Sequence, residues 1–514
     1  MKTFTRFVII TILVQIFSLI VTHAQVRSIL PDNSFGTAGV VFNNYSAARI
    51  ILPGGIDTQA DGKIVESVGG IFPAVRRFFS NGTLDVDFGV GGYTTLDRYG
   101  YGSIAYSVKV LPGGKILVHG ANVAHTTFIV RLTSGGAVDS TFGSSGYCVL
   151  GTLESPDMKV LSDGSIRVFF YKYCYPYNTA MLIKIKNNGI VDSTFGTSGM
   201  VVIMQALGGY GSFTLDHNDR IIMSARIAGG VVATRILPNG SIDGSFGNNG
   251  ITVFNPSDSR NTTQVPVTSV ITTALPDNSI VVVMTHSGVN QFVFAAHLRS
   301  DGTMDTSYGQ GGLAATGLLN AFAASAIAFD NGEVLLAGSS ISKGSTTISQ
   351  SQLSVLNIAG QVDSVFENHQ GYITIQYDTT VGGNRITSPG NIIFLPGNRM
   401  LMSGSTKSTL TWLARYNFSG FVTNINEAER SAGLDLYPNP ADKYVMIRYQ
   451  PDRNEDVRLR VYDLLGKILL EKTIPLGRTL YQLESANWNA VIYFVEIKSG
   501  CTVSTRKLLV QHSE

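Results

Sequence analysis

The stretch VDSTFGSSG at residues 138–146 recurs almost unchanged as VDSTFGTSG at residues 191–199. Five further stretches keep its aspartate and, three positions later, an aromatic residue. The aspartates are Asp32, Asp85, Asp139, Asp192, Asp243, Asp305 and Asp363, and the aromatic residues are Phe35, Phe88, Phe142, Phe195, Phe246, Tyr308 and Phe366. Seven copies at intervals of 51 to 62 residues indicate an internal repeat, and a repeat of this length determines the architecture of the chain.

Two other marks accompany the repeat. A turn such as PGGK at residues 112–115 lies between alternating apolar residues, which is typical of two strands joined by a tight hairpin. The second mark is the position eight residues before the aspartate, which holds Arg77, Arg131, Lys184, Arg235, His297 and Val355. Arg415 is equivalent but follows the last hairpin, and no aspartate–aromatic phrase comes after it.

Each repeat fits four strands: strand a after the phrase, strands b and c in the hairpin, and strand d ending in the basic position. Seven units of this kind predict an all-β chain with a seven-bladed β-propeller. The first phrase precedes the first hairpin and the last hairpin lacks a phrase, so the two ends complement each other and favour a closed ring. The spacing alone leaves open which blade contains strand a.

The phrase [LV]-D-x-[ST]-F-G-x-x-G resembles the delta-60 repeat of bacterial secreted and surface proteins, a resemblance that implies a propeller-like fold and no catalytic residues. We expect the aspartates, from Asp85 to Asp363, to form a structural turn motif in which the carboxylate accepts backbone N–H groups. The arginine could pair with the aspartate, and the aromatic residue would pack between blades. Calcium binding is disfavoured because each copy offers one carboxylate, where calcium requires six to eight oxygens, so no metal is expected.

The start of the chain predicts export. Lys2 and Arg6 precede an apolar run over residues 7–21, followed by small residues, which is typical of a secretory signal peptide over residues 1–24 with the mature chain starting at Gln25. No later stretch is long enough to span a membrane. A net charge of +2 with 14% charged residues makes nucleic acid an improbable partner. Three cysteines do not form a disulfide framework, and we expect Cys148 and Cys174 to remain unpaired.

The repeat phrases stop before residues 424–433, which we interpret as a linker after a propeller over residues 25–423. Short alternating strands then predict a small Ig-like β-sandwich over residues 434–514. The motifs YPNP at 437–440, VYD at 461–463, IYFV at 492–495 and KLLV at 507–510 closely resemble the type A C-terminal sorting domain of the type IX secretion system. That resemblance implies passage across the outer membrane by the type IX machinery, removal of the domain after about Gly433, and release or attachment to surface lipopolysaccharide.

The sequence contains none of the catalytic or cofactor-binding motifs that we sought, including a nucleophile elbow and HExxH, and no cofactor is expected. The interpretation favoured by the sequence is therefore a secreted or cell-surface binding protein without catalytic activity, whose ligand is a glycan or a protein. An extracellular polysaccharide hydrolase or lyase, with carboxylates at the propeller axis, is the first alternative. A passive structural or adhesive surface protein is the second.

An aromatic run beside strand c is the best candidate for a ligand contact, since exposed aromatic side chains bind sugar rings and peptides. The candidate residues are Tyr171, Tyr173, Tyr175 and Tyr177. Variation in repeat length falls in the segments that contain the a–b and c–d connections. Because repeat proteins commonly bind through the face that carries insertions, we expect the ligand on the a–b/c–d face.

Overall fold

The computed structural model describes most of the strands and turns of the chain. The described residues are 27–44, 52–69, 73–96, 104–122, 124–174, 177–206, 211–227, 230–255, 267–286, 292–341, 349–363, 366, 372–375, 388–405, 410–419, 434–437, 441–449, 457–463, 467–475, 480–489, 492–499 and 502–510. These residues form β-strands and turns without a helix, so no helix among them could cross a membrane. The chain divides into two compact units, Met1–Phe394 with Asn398–Thr423, and Leu395–Gly397 with Asn424–Glu514.

Seven antiparallel sheets make up the described part of the first unit, and six of them have four strands each that are consecutive in the chain. These six sheets are β3 (Leu52–Thr58), β4 (Ile64–Gly69), β5 (Ala74–Phe78) and β6 (Tyr93–Thr95); β7 (Ile104–Val110), β8 (Ile116–Ala121), β9 (Thr126–Leu132) and β10 (Tyr147–Thr152); β11 (Glu154–Val160), β12 (Ile166–Cys174), β13 (Tyr177–Ile185) and β14 (Met200–Ala206); β15 (Gly211–Leu215), β16 (Ile221–Ile227), β17 (Gly230–Ile236) and β18 (Ile251–Phe254); β19 (Val267–Ala274), β20 (Ile280–His286), β21 (Phe292–Leu298) and β22 (Leu313–Leu319); and β23 (Ala321–Ala328), β24 (Val334–Ile341), β25 (Ser349–Leu356) and β26 (Tyr372–Ile375). Each sheet has the strand order b–c–d–a, so strand a pairs with the strand d that precedes it.

The last sheet joins the two ends of the repeat region. It contains β27 (Ser388–Leu395), β28 (Arg399–Ser405) and β29 (Leu410–Ser419) from the C-terminal side. Both β1 (Ser28–Pro31) and β2 (Val40–Asn44) pair with β29, with Ser28 opposite Ser419 and Val40 opposite Ala414. Strand a of the last sheet therefore comes from the N-terminal side, as the complementary ends of the sequence suggest.

Apolar residues fill the space between successive sheets. Strands c and d are buried on both faces, which explains their continuous runs of branched residues, such as Ile280–His286. Strand a is exposed on one side, with Val149, Val202 and Val253 among the exposed apolar residues. One core cluster contains residues of the sixth and last sheets together with Ile29 and Val40, so apolar packing spans the junction between the chain ends.

The second unit contains two antiparallel sheets that share one hydrophobic core. One sheet has β30 (Leu434–Tyr437), β31 (Tyr444–Tyr449) and β34 (Leu480–Glu484), and the other has β32 (Val457–Tyr462), β33 (Ile468–Ile474), β35 (Ile492–Ser499) and β36 (Thr502–Leu509). Buried residues from both sheets, including Ile447, Leu459 and Val495, meet in this core. The alternation of buried and exposed residues in β32 shows why an alternating sequence forms a sheet with one apolar face.

Candidate functional site

The repeat aspartate closes the turn between strands d and a. In Asp139, Oδ1 accepts hydrogen bonds from the backbone N–H of Thr141 at 3.2 Å and from its hydroxyl at 2.6 Å. The same two bonds, to the residue two positions later, occur at Asp32, Asp192, Asp243 and Asp305. Asp85 receives only the backbone bond, because Asp87 takes the hydroxyl position. The short polar side chain thus replaces a backbone partner in a tight turn.

The arginine of strand d links its own sheet to the next one. The Nε of Arg131 donates to Asp139 Oδ2 at 2.7 Å, while its Nη1 donates to the carbonyl of Asn187, in the d–a turn of the following sheet, at 2.7 Å. Arg77 and Arg235 make the same pair of contacts, to the carbonyls of Ser134 and Ser300. Arg415 of the last sheet reaches Ser80 of the first, so this inter-sheet contact also crosses the closure of the ring.

The aromatic residue of the phrase packs in the same junction. The guanidinium of Arg131 lies 4.8 Å from the ring centroid of Phe142, a distance suited to a cation–π contact. Gly189, in the turn of the next sheet, also packs against the ring of Phe142. Gly189 has φ +85°, and a Cβ there would lie 2.9 Å from Phe142. Only glycine meets both the conformation and the close approach, which explains the glycine at this position of the repeat.

We number each repeat by its sheet, so that the first repeat contains β3–β6 and the third contains β11–β14. The third repeat divides the role of the arginine between two residues. Lys184 pairs with Asp192 at 3.0 Å. Its cross-strand neighbour Arg167 lies over the ring of Phe195, at 4.9 Å, and donates to the carbonyl of Pro238 in the next sheet at 2.9 Å. Arg167 was not among the residues predicted from the sequence. Its signal was a single arginine in a strand where the other repeats have apolar residues such as Leu117 and Ile222.

The fifth repeat substitutes histidine for arginine without losing the turn. The Nδ1 of His297 lies 3.0 Å from Asp305 Oδ2, and Arg299 donates to Asp305 Oδ1 at 2.9 Å. The backbone bond from Asp305 N–H to the carbonyl of His297 is also present, at 2.9 Å. Asp363 N–H donates to the carbonyl of Val355 in the same way. The backbone of the turn is therefore kept at His297 and at Val355, the two positions where the repeat lacks its arginine or lysine.

These contacts lower the pKa of six repeat aspartates, namely Asp32, Asp85, Asp139, Asp192, Asp243 and Asp305. Hydrogen bonds from Lys115 and then Thr141 hold the pKa of Asp139 far below its usual range. For Asp32, burial acts to raise the pKa, but hydrogen bonds from Ser34 and the ion pair with Arg415 outweigh it and lower the pKa. The carboxylates are therefore negatively charged and neutralised by neighbouring cations. No group of three or more His, Cys, Asp or Glu side chains in the described ranges is arranged to hold a metal ion.

The first strands of the sheets, which contact one another across successive sheets, carry carboxylates that are also paired. Asp57 lies 3.1 Å from Lys109, and Asp157 lies 3.0 Å from Lys159. His119 is fully buried within reach of the charge of Asp157 and stacks on Tyr106, with ring centroids 5.6 Å apart. Burial lowers the pKa of His119 to about 4, although the charge of Asp157 opposes the shift.

The predicted tyrosine contacts lie mostly beyond what the structure describes. The backbones of Tyr171 and Tyr173 belong to β12, and Tyr177 begins β13 opposite Cys174. The side chains of these three residues, and Tyr175 entirely, lie outside the described residues, as do most of the a–b and c–d connections. A shallow depression that is largely open to solvent lies beside the b–c hairpins, where Gln59, Asp61 and Arg77 face Gly113 and Gly114. Gln59 there donates to the carbonyls of Gly114 and Ser134.

Comparison with known families agrees with this architecture. Residues 435–511 match the secretion system C-terminal sorting domain, and residues 111–142, which cover a hairpin turn, β8, β9 and the repeat phrase as far as Phe142, match a β-propeller domain of unknown function (DUF5122). The chain is a β-propeller protein with a type IX sorting domain. The sorting domain implies interaction with the secretion machinery and export to the cell surface or the extracellular space.

Solved structures give more distant similarities. A protein of unknown function from Bacteroides caccae is 11% identical, with a TM-score of 0.34, and the match covers 65% of this chain and 96% of that one. A protein of unknown function from Dyadobacter fermentans is 13% identical, with a TM-score of 0.38 and coverage of 74% and 99%. Polysaccharide lyase Uly1 is 9% identical, with a TM-score of 0.45 and coverage of 73% and 99%. At these scores the similarities carry no conclusion about function. No curated protein matches the sequence.

Proposed function

We propose that this protein is a seven-bladed propeller that binds a glycan or a protein partner outside the cell, without catalysis, and that its Ig-like second domain directs its export by the type IX system. The observation that carries the proposal is the match of residues 435–511 to the sorting domain. The repeat region that precedes it in the chain uses the arginines of its arginine–aspartate ion pairs to link successive sheets. Export places the ring where extracellular glycans and surface proteins are its available ligands.

The chemistry of the repeat supports a structural use of its charged residues. The carboxylate of Asp139 receives four hydrogen bonds, from the backbone and hydroxyl of Thr141 and from Arg131 and Lys115. A carboxylate engaged in this way is a poor general base, because its pKa is lowered and its lone pairs are occupied. Asp57 and Asp157 at the first strands are likewise paired with lysines. This pairing favours binding over the polysaccharide hydrolase or lyase alternative.

The binding site that we propose lies on the a–b/c–d face, with Tyr173, Tyr175 and Tyr177 as contacts. Tyr171 lies two residues before Tyr173 on the same strand, β12. Aromatic side chains provide large contact areas with little loss of conformational freedom, which suits both sugar rings and peptides.

A glycan array and capture of surface proteins with the purified full chain test this proposal. We expect binding that the double substitution Tyr173→Ala and Tyr175→Ala weakens by tenfold or more, with an unchanged melting temperature. Tyr444→Ala, at a tyrosine that is 45% exposed in the second unit, serves as the control and should leave binding intact. Cleavage of an array polysaccharide by the purified protein would establish the enzyme alternative. Absence of any glycan or protein ligand would favour a passive structural role.

A further inference from the structure

The sixth repeat reverses the charge pattern of the first two. In the second repeat, the aspartate Asp139 faces two cations, Arg131 from strand d and Lys115 from the hairpin. The first repeat has the same arrangement, in which Arg77 and Lys63 face Asp85. In the sixth repeat the position of the arginine holds Val355, and the position of the hairpin lysine holds Glu333. Two carboxylates, Glu333 and Asp363, therefore come together where the first two repeats place one carboxylate and two cations.

A cation reaches these carboxylates from the other end of the sequence. The Nη1 of Arg27 lies 2.7 Å from Glu333 Oε1 and 2.8 Å from Asp363 Oδ2. The side chains of Glu333 and Asp363 are only 9% and 8% exposed, and that of Arg27 is 20% exposed. The backbone of Arg27 also forms a parallel bridge to Phe366, the aromatic residue three positions after Asp363. Arg27 thus occupies the junction that an arginine of strand d occupies in other repeats.

The residues that follow Arg27 belong to the next sheet. Ser28–Pro31 form β1 and pair with the end of β29, with Ile29 opposite Phe418 and Pro31 opposite Tyr416. In the first four sheets and in the last one, an arginine extends from its own sheet to the following one. Here the direction is opposite, because the arginine is anchored on the last sheet and extends back to the sixth.

We propose that residues 27–31 form an N-terminal latch, in which Arg27 supplies the cation that the sequence of the sixth repeat lacks and β1 holds it on the last sheet. The latch is separate from β2, which completes the last sheet as its outer strand. Cleavage of the signal peptide before Gln25 leaves the latch in the chain. Proteolysis beyond Arg27 removes it and leaves two poorly exposed carboxylates facing each other, an arrangement in which their like charges repel.

Thermal unfolding of the full chain tests the latch. Arg27→Ala should lower the melting temperature by about 3–6 °C, the effect of removing one partner from a buried ion pair in a unit of this size. Arg299→Ala is the matched control, because Arg299 also contacts a repeat aspartate but is 54% exposed. We expect a change below about 1 °C for this control. A melting temperature for Arg27→Ala within 1 °C of the unmodified protein would overturn the proposal.

A compensating substitution makes the test specific. Val355→Arg restores the strand d arginine of the repeat, so the double variant Arg27→Ala, Val355→Arg should recover at least half of the loss. No recovery would contradict the claim that Arg27 replaces this arginine. Should Arg27→Ala fail to fold, adding Glu333→Gln removes one of the facing carboxylates. Recovery of folded protein then supports the latch, and failure of both variants alike refutes it.

Discussion

Replacing Asp139 with alanine tests the role of the repeat aspartate at a position where the carboxylate accepts four hydrogen bonds. Its side chain is 7% exposed and that of Arg131 is 11% exposed, so the ion pair between them is largely buried. The substitution also removes the acceptor for the backbone N–H and hydroxyl of Thr141. Arg131 would keep its bond to the carbonyl of Asn187 but lose its counter-charge.

The expected loss follows from these contacts. Deleting one partner of a buried ion pair costs about 3–5 kcal/mol of unfolding free energy. The bond from Lys115 adds less than about 1 kcal/mol, because that side chain is 46% exposed. With an unfolding entropy of roughly 2 cal/mol/K per residue over about 400 residues, the loss lowers the melting temperature by about 4–6 °C. Differential scanning calorimetry of the purified full chain measures it.

Two control variants separate this effect from a general loss of charge. Asp139→Asn keeps a carbonyl acceptor for Thr141 and should show a smaller decrease. Asp61→Ala removes a hairpin aspartate that is 57% exposed and should change the melting temperature by less than about 1 °C. Ligand binding should survive in Asp139→Ala below its melting temperature. An unchanged melting temperature with abolished binding would show that the phrase forms a ligand site instead.

The remaining predictions concern titration and reactivity. Six repeat aspartates, from Asp32 to Asp305, have lowered pKa values in the folded state, so unfolding takes up protons in acid. The contribution of these carboxylates to the unfolding free energy should be constant above about pH 5 and fall steadily towards pH 2 in denaturant titrations, less steeply for Asp139→Asn. Burial lowers the pKa of His119 to about 4, so stability should also fall by about 2–4 kcal/mol between pH 6.5 and 4. His119→Phe should remove that decrease, and an equal decrease in this variant would refute the assignment. Burial raises the pKa of the Cys148 thiol to about 11, so iodoacetamide at pH 8 should label Cys148 only after unfolding, and rapid labelling of the native protein would contradict its burial.

The repeat made much of the fold predictable, because its spacing is tied to short-range geometry. The three-residue step from Asp139 to Phe142 is the turn itself, and the apolar alternation around residues 112–115 is the hairpin. The strand order within a sheet could not be predicted from the sequence. Strand a can pair with the strand before it or start the next sheet at the same sequence spacing, and only the backbone pairing of β5 with β6 distinguishes the two.

The contacts between sheets were predictable only in part, since they join residues far apart in the chain. The basic position suggested a pair between Arg131 and Asp139, eight residues apart, but not the second bond to Asn187. Arg27 and Asp363 are separated by 336 positions, and no local pattern relates them. The apparent defect at Val355 was visible in the sequence. Its compensation required the fold.

The sorting domain and the propeller together predict a definite fate for the chain, and mass spectrometry of fractions from a host with a type IX secretion system tests it most directly. We predict peptides from residues 25–423 in the culture medium or on the cell surface, without residues 434–514. A matched variant lacking residues 435–511 should remain in the periplasm. Recovery of the complete chain from the periplasm of a secretion-competent host, or export of the variant that lacks the sorting domain, would contradict the account.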